Sequence, residues 1–488
     1  MEAFAQFLND LDSFVWGPFF LIPLLLGTGA WLTIRLGGLQ FRKLFSALRL
    51  ALVDRHDEGV DKSDGDISQY QALTTALAAT VGTGNIVGVA TALSVGGPGA
   101  LFWMWVTGLL GMASKYSEAF LAVRFRHRDV SGDITGGPQY YLKDAIGGRF
   151  GTFLATFFSI AAVIATFGIG NGTQANSIAG NVENSFGVPP WITGVVLTIV
   201  TLIVLVGGIK SIGRVTAGFV PIMIVLYVGA SLIILGMHLD AIPGAFAQVF
   251  SEAFSGTAAT GGFLGSTIVI AVQMGVARGI FSNESGMGSA AIAAAAAQTS
   301  HPTRQGLVSM TQTFIDTIIV VTMTGLVLVI TGTWTGGRAN ASTLTSQAFD
   351  AGLGVTWGHY IVTIALMMFA YSTILGWCYY GERNVEKLFG RRWVMPYRVV
   401  FSLMVFVGAT LSLDLVWTFS DLANGLMAMP NLIGLLLLSG LIARETKYYL
   451  DNDPKLRANR DQVDTFMAGH EGAIDAHWHS VKGEARHR

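Results

Sequence analysis

Glycine and polar residues interrupt two of the chain's apolar segments, one in each half of the sequence. The first interruption is Thr80-Val81-Gly82-Thr83-Gly84-Asn85, and the second extends from Arg278 to Gly286. Lipid cannot satisfy unpaired backbone groups, so a break in a membrane-spanning helix persists only where it lines a cavity or is buried in protein. The amides freed at a break can bind an anion, and the freed carbonyls can bind an ammonium group or a metal cation. Two breaks in corresponding places therefore predict the binding site of a membrane transporter.

The composition is that of a helical membrane protein with many spans. Of its 488 residues, 52% are hydrophobic and 12% are charged, whereas a soluble domain carries about 25% charged residues. The net charge of −1 indicates no electrostatic partner such as nucleic acid. The single cysteine, Cys378, excludes a disulfide framework. We therefore expect an all-α polytopic protein whose main partner is the lipid bilayer.

Eleven apolar runs, each long enough to cross a bilayer at roughly 20 residues, predict eleven transmembrane helices. Nearly all Lys and Arg residues lie between alternate runs, which places the N-terminus outside the cell and the C-terminus in the cytoplasm. The protein is then expected to be a multi-pass protein of the cell inner membrane. The runs are Val15–Ile34, Gln71–Val95, Gly99–Val123, Thr152–Asn181, Trp191–Val206, Ala217–Gly236, Gly265–Gln298, Gly306–Ile330, Gly358–Tyr380, Val399–Leu413 and Leu415–Ile442.

The order of these runs predicts an internal repeat. Spans two to six and spans seven to eleven each begin with an interrupted helix, and the two interrupted helices cross the membrane in opposite directions. This pattern predicts a five-plus-five inverted repeat, with residues 71–237 as the first half and 238–442 as the second. An N-terminal helix and cytoplasmic loop (1–70) would precede the repeat, and a cytoplasmic tail (443–488) would follow it.

Several long and rare strings occur along the chain. They are Gln71-Ala72-Leu73, Gly82 to Ile86, Gly96 to Ala100, Phe102 to Trp105, Phe167 to Asn171, Gly279 to Glu284, Phe314 to Thr317 and Ser372 to Trp377. Through these strings the chain resembles a known family, the alanine or glycine:cation symporters. The resemblance extends over nearly all of the chain and implies a leucine-transporter-type fold with alternating access around a central site. It also implies sodium-coupled symport of small neutral amino acids, alanine or glycine, into the cell.

The two breaks are then expected to share the charges of an amino-acid substrate. Both its carboxylate and its ammonium group are costly to desolvate unpaired. We expect the amides of Thr83 and Gly84, beside Gly82, to hold the carboxylate, and the Thr80 carbonyl to face the ammonium group. Four residues of the second break would complete the ammonium site, namely Gly279, Ile280, Phe281 and Ser282. Alternatively, the glycines only allow close packing of helices.

The coupling ion is predicted to be Na⁺, on ligands that the resemblance implies. These are the carbonyls of Ala78, Val81 and Phe369 and the hydroxyls of Ser372 and Thr373. The alternative is that the two hydroxyls bond only the carbonyl one turn earlier in their own helix. No lysine lies near either segment, which favours sodium over proton coupling.

Span four and span nine offer further ligand candidates. Phe167, Asn171 and Gln174 are spaced four and three residues apart, which would place them on one helix face directed at the cavity. Trp377 lies one turn beyond Thr373 and is expected to form a wall of the pocket. The alternatives are hydrogen bonds between helices for the amides and an interface anchor for the tryptophan.

Ionisable residues inside the spans have roles that the sequence leaves open. Lys115 and Glu118 would pair on span three and brace the unwound part of span seven near Arg278 and Glu284, and Asp316 would line the ion path or pair with a cation. A purely structural network is the alternative for all five.

Other function classes lack their signatures. No filter-like repeat of a channel, no His-Glu-x-x-His enzyme motif and no ATP-binding GxxxxGK[ST] loop occurs in the sequence. We expect a transporter rather than an enzyme, functional as a monomer. A proton-coupled or glutamine-selective transporter of the same fold is the alternative function.

Overall fold

The computed structural model describes residues 2–17, 19–54, 59–60, 65–129, 132–255, 267–337 and 341–468. This part of the chain is almost entirely helical. The first half contains α1 (Glu2–Val15), α2 (Leu21–Arg35), α3 (Leu39–Arg42), α4 (Leu44–Leu52), α5 (Gln69–Thr80), α6 (Val89–Gly96), α7 (Gly99–Arg124), α8 (Pro138–Tyr141), α9 (Gly148–Phe167), α10 (Thr173–Phe186), α11 (Pro190–Leu205) and α12 (Gly208–Met237).

The second half has the same character. It contains α13 (Ile242–Ser255), α14 (Thr267–Asn283), α15 (Ala291–Ala295), α16 (Pro302–Thr313), α17 (Thr322–Thr331), α18 (Ala341–Leu353), α19 (Gly358–Phe389), α20 (Val394–Thr410), α21 (Leu413–Asn452) and α22 (Arg460–Ala468). Wider π turns connect several helices, at Gly84–Gly88, Leu142–Ile146, Gly168–Gly172 and Phe314–Val321. Short 3₁₀ turns lie at Thr333–Gly336 and Arg391–Trp393.

Among the described residues, six helices are long and apolar enough to cross a membrane, or seven if α5 and α6 count as one bent span. Three shorter apolar helices lie at Leu21–Arg35, Pro190–Leu205 and Ile268–Asn283. A helix occupies most of each of the eleven predicted runs, although Gly265, the start of the seventh, lies outside the described residues. The multi-span all-α architecture is therefore confirmed, while the count of eleven stays a prediction.

Corresponding helices of the two halves pack against each other. The second helices of the halves, α7 and α16, are in contact, and so are the fourth helices, α11 and α20. The fifth helix of each half packs against the third helix of the other, α12 against α19 and α21 against α9. These contacts connect the two predicted halves at several places, while their relation as a repeat stays a prediction.

The first interrupted helix bends where the sequence predicts. A capping box starts α5, because Ser68 Oγ accepts a hydrogen bond from the Gln71 amide and the Gln71 side chain accepts one from the Ser68 amide. The helix ends at Thr80, Val81 is extended, and the axis turns by 51° before α6. A Cβ on Gly84 would lie only 2.9 Å from Ser282 Cα, so glycine lets the first break touch α14 directly.

The second interruption lies later in the chain than predicted. Helix α14 continues through Gly279 and Ser282 to Asn283, and the chain unwinds from residue 284 to residue 290. The prediction of a break at Gly279–Ser282 is therefore wrong. A Cβ on Gly279 would collide with Thr107 Oγ1 of α7, so this glycine serves the close packing of two helices. The helix ends where Glu284 takes a left-handed conformation with φ of +55°.

Short strands join the segment before α5 to the segment after α15. Strand β1 (Ile67–Ser68) runs parallel to β4 (Ala297–Gln298), with Ile67 opposite Ala297. A second pair, β2 (His127–Arg128) and β3 (Ile134–Thr135), is antiparallel. The first pair connects the residues before α5 to those after α15, so it couples the positions of the two breaks.

Candidate functional site

The predicted ion ligands converge from both halves of the chain. Thr373 Oγ1 lies 3.0 Å from the carbonyl oxygens of both Ala78 and Phe369, and Ser372 Oγ lies 3.2 Å and 2.8 Å from the same two oxygens. Phe369 is the carbonyl one turn earlier in α19, as the alternative reading expects. Ala78, however, belongs to α5 of the other half. Four of the five predicted ligands therefore form one buried cluster of neutral oxygens. The fifth, Val81, caps α5 and precedes Gly82, where an added Cβ would lie 2.5 Å from Thr373 Oγ1.

The first break presents its amides to side-chain oxygens. Thr83 donates twice to Gln174 Oε1, from its amide at 3.0 Å and from its hydroxyl at 2.7 Å. The Gly82 amide donates to Asn85 Oδ1 at 2.9 Å. Gln174, predicted as a ligand, thus reaches the break, and its Nε2 is held by the Ile169 carbonyl at 2.8 Å. Amides that bind amide oxygens of the protein can bind a substrate carboxylate instead.

A buried carboxylate connects the first break to the end of α14. Asp316 accepts hydrogen bonds from Asn85 Nδ2 at 2.7 Å, Ser282 Oγ at 2.9 Å and Thr317 Oγ1 at 2.8 Å. For Asp316 the sequence left open a place on the ion path, pairing with a cation or a structural role, and Asn85 was missed as a site residue. The signal for Asn85 was its place at the end of the polar interruption, three residues after Gly82.

Two of the three predicted residues on span four face away from the breaks. Asn171 Nδ2 donates to the Phe401 carbonyl of α20 at 2.7 Å, and the Phe167 ring packs against Tyr397 and Phe401. The prediction that Phe167 and Asn171 share the face of Gln174 is wrong. The reason is the π turn at Gly168–Gly172, which shifts the helical register between these residues.

Trp377 lies deep in the molecule rather than at a membrane interface. Its side chain is fully buried, and its Nε1 donates to Glu284 Oε1 at 2.7 Å. A Cβ on Gly170 would collide with Trp377 Cβ, so the tryptophan sits directly on the backbone of the π turn. This position excludes the alternative of an interface anchor.

Phe281 and Ile280 close the end of α14 in different ways. The Phe281 ring stacks on Trp417 with ring centroids 4.6 Å apart, and the Arg278 guanidinium lies 4.7 Å from the Trp417 centroid. Arg278 also pairs with Asp421. The Ile280 carbonyl accepts a hydrogen bond from the Glu284 amide at 2.8 Å. This carbonyl is therefore already paired within the protein.

Lys115 and Glu118 hold the unwound segment after α14. Lys115 Nζ donates to the Glu284 carbonyl at 3.0 Å and lies 3.7 Å from Glu118 Oε2. Glu118 Oε1 accepts bonds from the Gly288 amide at 3.0 Å and from Asn431 Nδ2 at 2.8 Å. These contacts match the bracing role that the sequence suggested.

Comparison with known proteins agrees with this architecture. The family described as the Sodium:alanine symporter family matches residues 1–464. The chain is 52% identical to the sodium/alanine symporter AgcS of Methanococcus maripaludis over 91% of this chain and 97% of that protein. It is 36% identical to the amino-acid carrier protein AlsT of Bacillus subtilis over 92% and 93% of the two chains.

Solved structures show the fold at low sequence identity. The crystal structure of MhsT in complex with L-phenylalanine has a TM-score of 0.54 at 12% identity and covers 80% of this chain and 99% of that one. The Eremococcus coleocola manganese transporter has a TM-score of 0.51 at 14% identity over 88% and 98%. These are membrane transporters rather than enzymes, and the chain belongs to the sodium:alanine symporter family.

Proposed function

We propose that this protein carries alanine or glycine into the cell together with Na⁺ by alternating access. The observation that carries the proposal is the convergence of two carbonyls and two hydroxyls, from α5 and α19, on one buried position. A relative that is 52% identical is named a sodium/alanine symporter, which supports alanine as the substrate.

The oxygen cluster suits a monovalent cation. Its ligands are neutral, and the Ser372 and Thr373 hydroxyls would turn their lone pairs toward the ion, with Val81 as a fifth ligand. Ala78 belongs to the first helix of one half, and Phe369 belongs to the third helix of the other. A bound ion therefore fixes α5 against α19, and its release frees α5 to move.

The amino acid would bind between the two breaks. Its carboxylate would accept hydrogen bonds from the amides of Thr83 and Gly84. At the Thr83 amide it would replace Gln174 Oε1, which accepts that hydrogen bond in this structure. Its ammonium group would face the Thr80 carbonyl and the last carbonyls of α14, from Phe281 to Asn283, because the final carbonyls of a helix lack partners within the helix and carry its negative end. The Asp316 carboxylate adds negative charge beside them.

Uptake into proteoliposomes tests the proposal. Labelled alanine, glycine and glutamine would be offered with an inward Na⁺ gradient, without one, and with an inward pH gradient alone. We expect alanine or glycine to accumulate only with the Na⁺ gradient. Accumulation driven by the pH gradient in Na⁺-free buffer would show that transport is coupled to protons rather than to sodium. A preference for glutamine would show that glutamine, rather than alanine or glycine, is the substrate.

We also infer the membrane arrangement from the distribution of basic residues. The N-terminus would lie outside, the tail from residue 443 would lie in the cytoplasm, and residues 71–237 and 238–442 would form the two inverted repeats of a functional monomer. Single cysteines placed in the tail and in the segment before α2, in a Cys378→Ser background, would test it. Labelling of the tail cysteine by an impermeant maleimide in intact cells would contradict this orientation.

A further inference from the structure

Glu284 connects the second break to the indole of Trp377. One carboxylate oxygen accepts the Trp377 Nε1 bond at 2.7 Å, and the other accepts from Ser289 Oγ at 2.5 Å. The residue is 1% exposed, and Lys115 contacts its backbone carbonyl. A carboxylate buried between neutral donors is costly inside a membrane protein, which indicates a role beyond packing.

The backbone of Glu284 gives the same indication. Its φ of +55° is left-handed, a conformation that glycine adopts freely and that strains a residue with a side chain. Nearby Gly286 and Gly288 take positive φ without that strain. A glycine at position 284 would end α14 equally well, so the glutamate side chain must contribute something that offsets the strain.

Trp377 is fixed at both ends of its side chain. At its base, the backbone of Gly170 lies so close that no Cβ would fit there. At its far end, the indole N–H is held by Glu284. Thr373 of the ion cluster lies one turn earlier on α19, and Gln174 follows the π turn that Trp377 contacts. Both reach the first break at Gly82, where an added Cβ would lie 2.5 Å from Thr373 Oγ1 and 3.0 Å from Gln174 Oε1. Trp377 therefore packs between the two elements that carry these residues.

We propose that Glu284 is a positioning residue that holds the Trp377 indole as a wall of the amino-acid site and thereby limits the size of the accepted side chain. The inference rests on the proposed function, since it needs an amino acid bound beside Trp377. With the bond to Glu284 in place, the indole cannot swing away from the cavity, and only a small side chain fits. Without it, the ring can rotate and admit a larger one.

The test measures how strongly alanine and leucine bind to the purified full-length protein, from ligand-dependent thermal stabilisation in Na⁺ buffer. Glu284→Ala should lower the preference for alanine over leucine roughly tenfold, the scale on which a pocket discriminates small changes in side-chain size. Glu284→Gln keeps an oxygen that can accept the indole bond and should retain the wild-type preference. Trp377→Phe keeps a ring without the N–H and should lower the preference as Glu284→Ala does.

A double variant and a matched control separate positioning from a merely structural role. Glu284→Ala added to Trp377→Phe should change the preference no further, because the bond is already absent. Glu445→Gln alters a different buried carboxylate, one that pairs with Arg124, so it should leave the preference unchanged. If Glu284→Ala does not fold, the same comparison is made with Glu284→Gln in the Trp377→Phe background.

Two outcomes would overturn the inference. One is a wild-type preference for alanine over leucine in Trp377→Phe. The other is a further change of this preference when Glu284 is substituted in the Trp377→Phe protein, which already lacks the indole N–H. Wild-type protein that binds neither alanine nor glycine would instead contradict the proposed function. In that case the variants would be compared with the wild type for binding of leucine relative to the small amino acid that does bind. Relatively stronger binding of leucine in the variants would still support the positioning role of Glu284.

Discussion

The hydroxyl of Thr373 lies at hydrogen-bonding distance from carbonyls of both halves of the chain, Ala78 and Phe369. Thr373→Val keeps the shape of the side chain and removes this oxygen. We expect the Na⁺ concentration for half-maximal alanine uptake to rise about tenfold or more, equivalent to about 1.4 kcal/mol of ion binding. Uptake measured over a range of Na⁺ concentrations checks it.

Serine at the same position provides the control. Thr373→Ser retains the hydroxyl, so its Na⁺ requirement should stay near that of the wild type. Ser372→Ala should act in the same direction as Thr373→Val. An unchanged Na⁺ requirement in the variant that lacks both hydroxyls would remove these residues from the ion site.

Asp316 accepts hydrogen bonds from the first break and from the end of α14, through Asn85 and Ser282. Asp316→Asn keeps the shape and removes the charge, so we expect alanine uptake to fall by about tenfold or more while the protein still folds. The loss of a charge-assisted hydrogen-bond acceptor is worth about 1.5–3 kcal/mol. Asp350→Asn is the control, because Asp350 pairs with His359 in a partly exposed position away from the site. Equal effects of the two substitutions would show that Asp316 has no special part in transport.

At the scale of the elements, the contact between the first break and α14 depends on Gly84. A Cβ there would lie 2.9 Å from Ser282 Cα and 3.2 Å from Phe281 Cδ1, so Gly84→Ala must push α14 away. We expect alanine uptake to be lost, because the substrate would bind between these segments. Gly180→Ala in α10 meets no atom within 4 Å and should leave uptake unchanged and stability equal or slightly higher. Normal uptake in Gly84→Ala would show that the first break need not contact α14.

The same elements show how far the sequence could predict the site. The first break was located correctly because Gly82 and Gly84 lie in a polar interruption where the chain must bend. The second was misplaced because Gly279 is a packing glycine, while the residue that ends α14 is Glu284, and a glutamate gives no signal of a left-handed conformation. Phe167 was misjudged because regular helical spacing does not anticipate a π turn. Such features depend on tertiary contacts that local sequence does not encode.

For the whole molecule, α5 is held at its two ends by contacts of different kinds. At the break, the oxygen cluster joins it to α19, and an ion bound there would strengthen that contact. At its start, the β1–β4 pair joins it to the segment after α15. In the proposed orientation the strand pair lies at the cytoplasmic end of α5, so we expect it to open when substrate is released to the cytoplasm in each transport cycle.

A disulfide across the strand pair tests this requirement. Ile67 and Ala297 are opposite each other in the parallel register, so Ile67→Cys with Ala297→Cys, in a Cys378→Ser background, should cross-link on oxidation. We expect oxidation to abolish alanine uptake, a reductant to restore it, and alanine binding to persist in the cross-linked protein. The control pair, Ile67→Cys with Gln298→Cys, directs its side chains to opposite faces of the strands and should neither cross-link nor lose uptake. Full uptake by the cross-linked protein would mean that α5 moves without opening the strands, and the inner path would then have to form elsewhere.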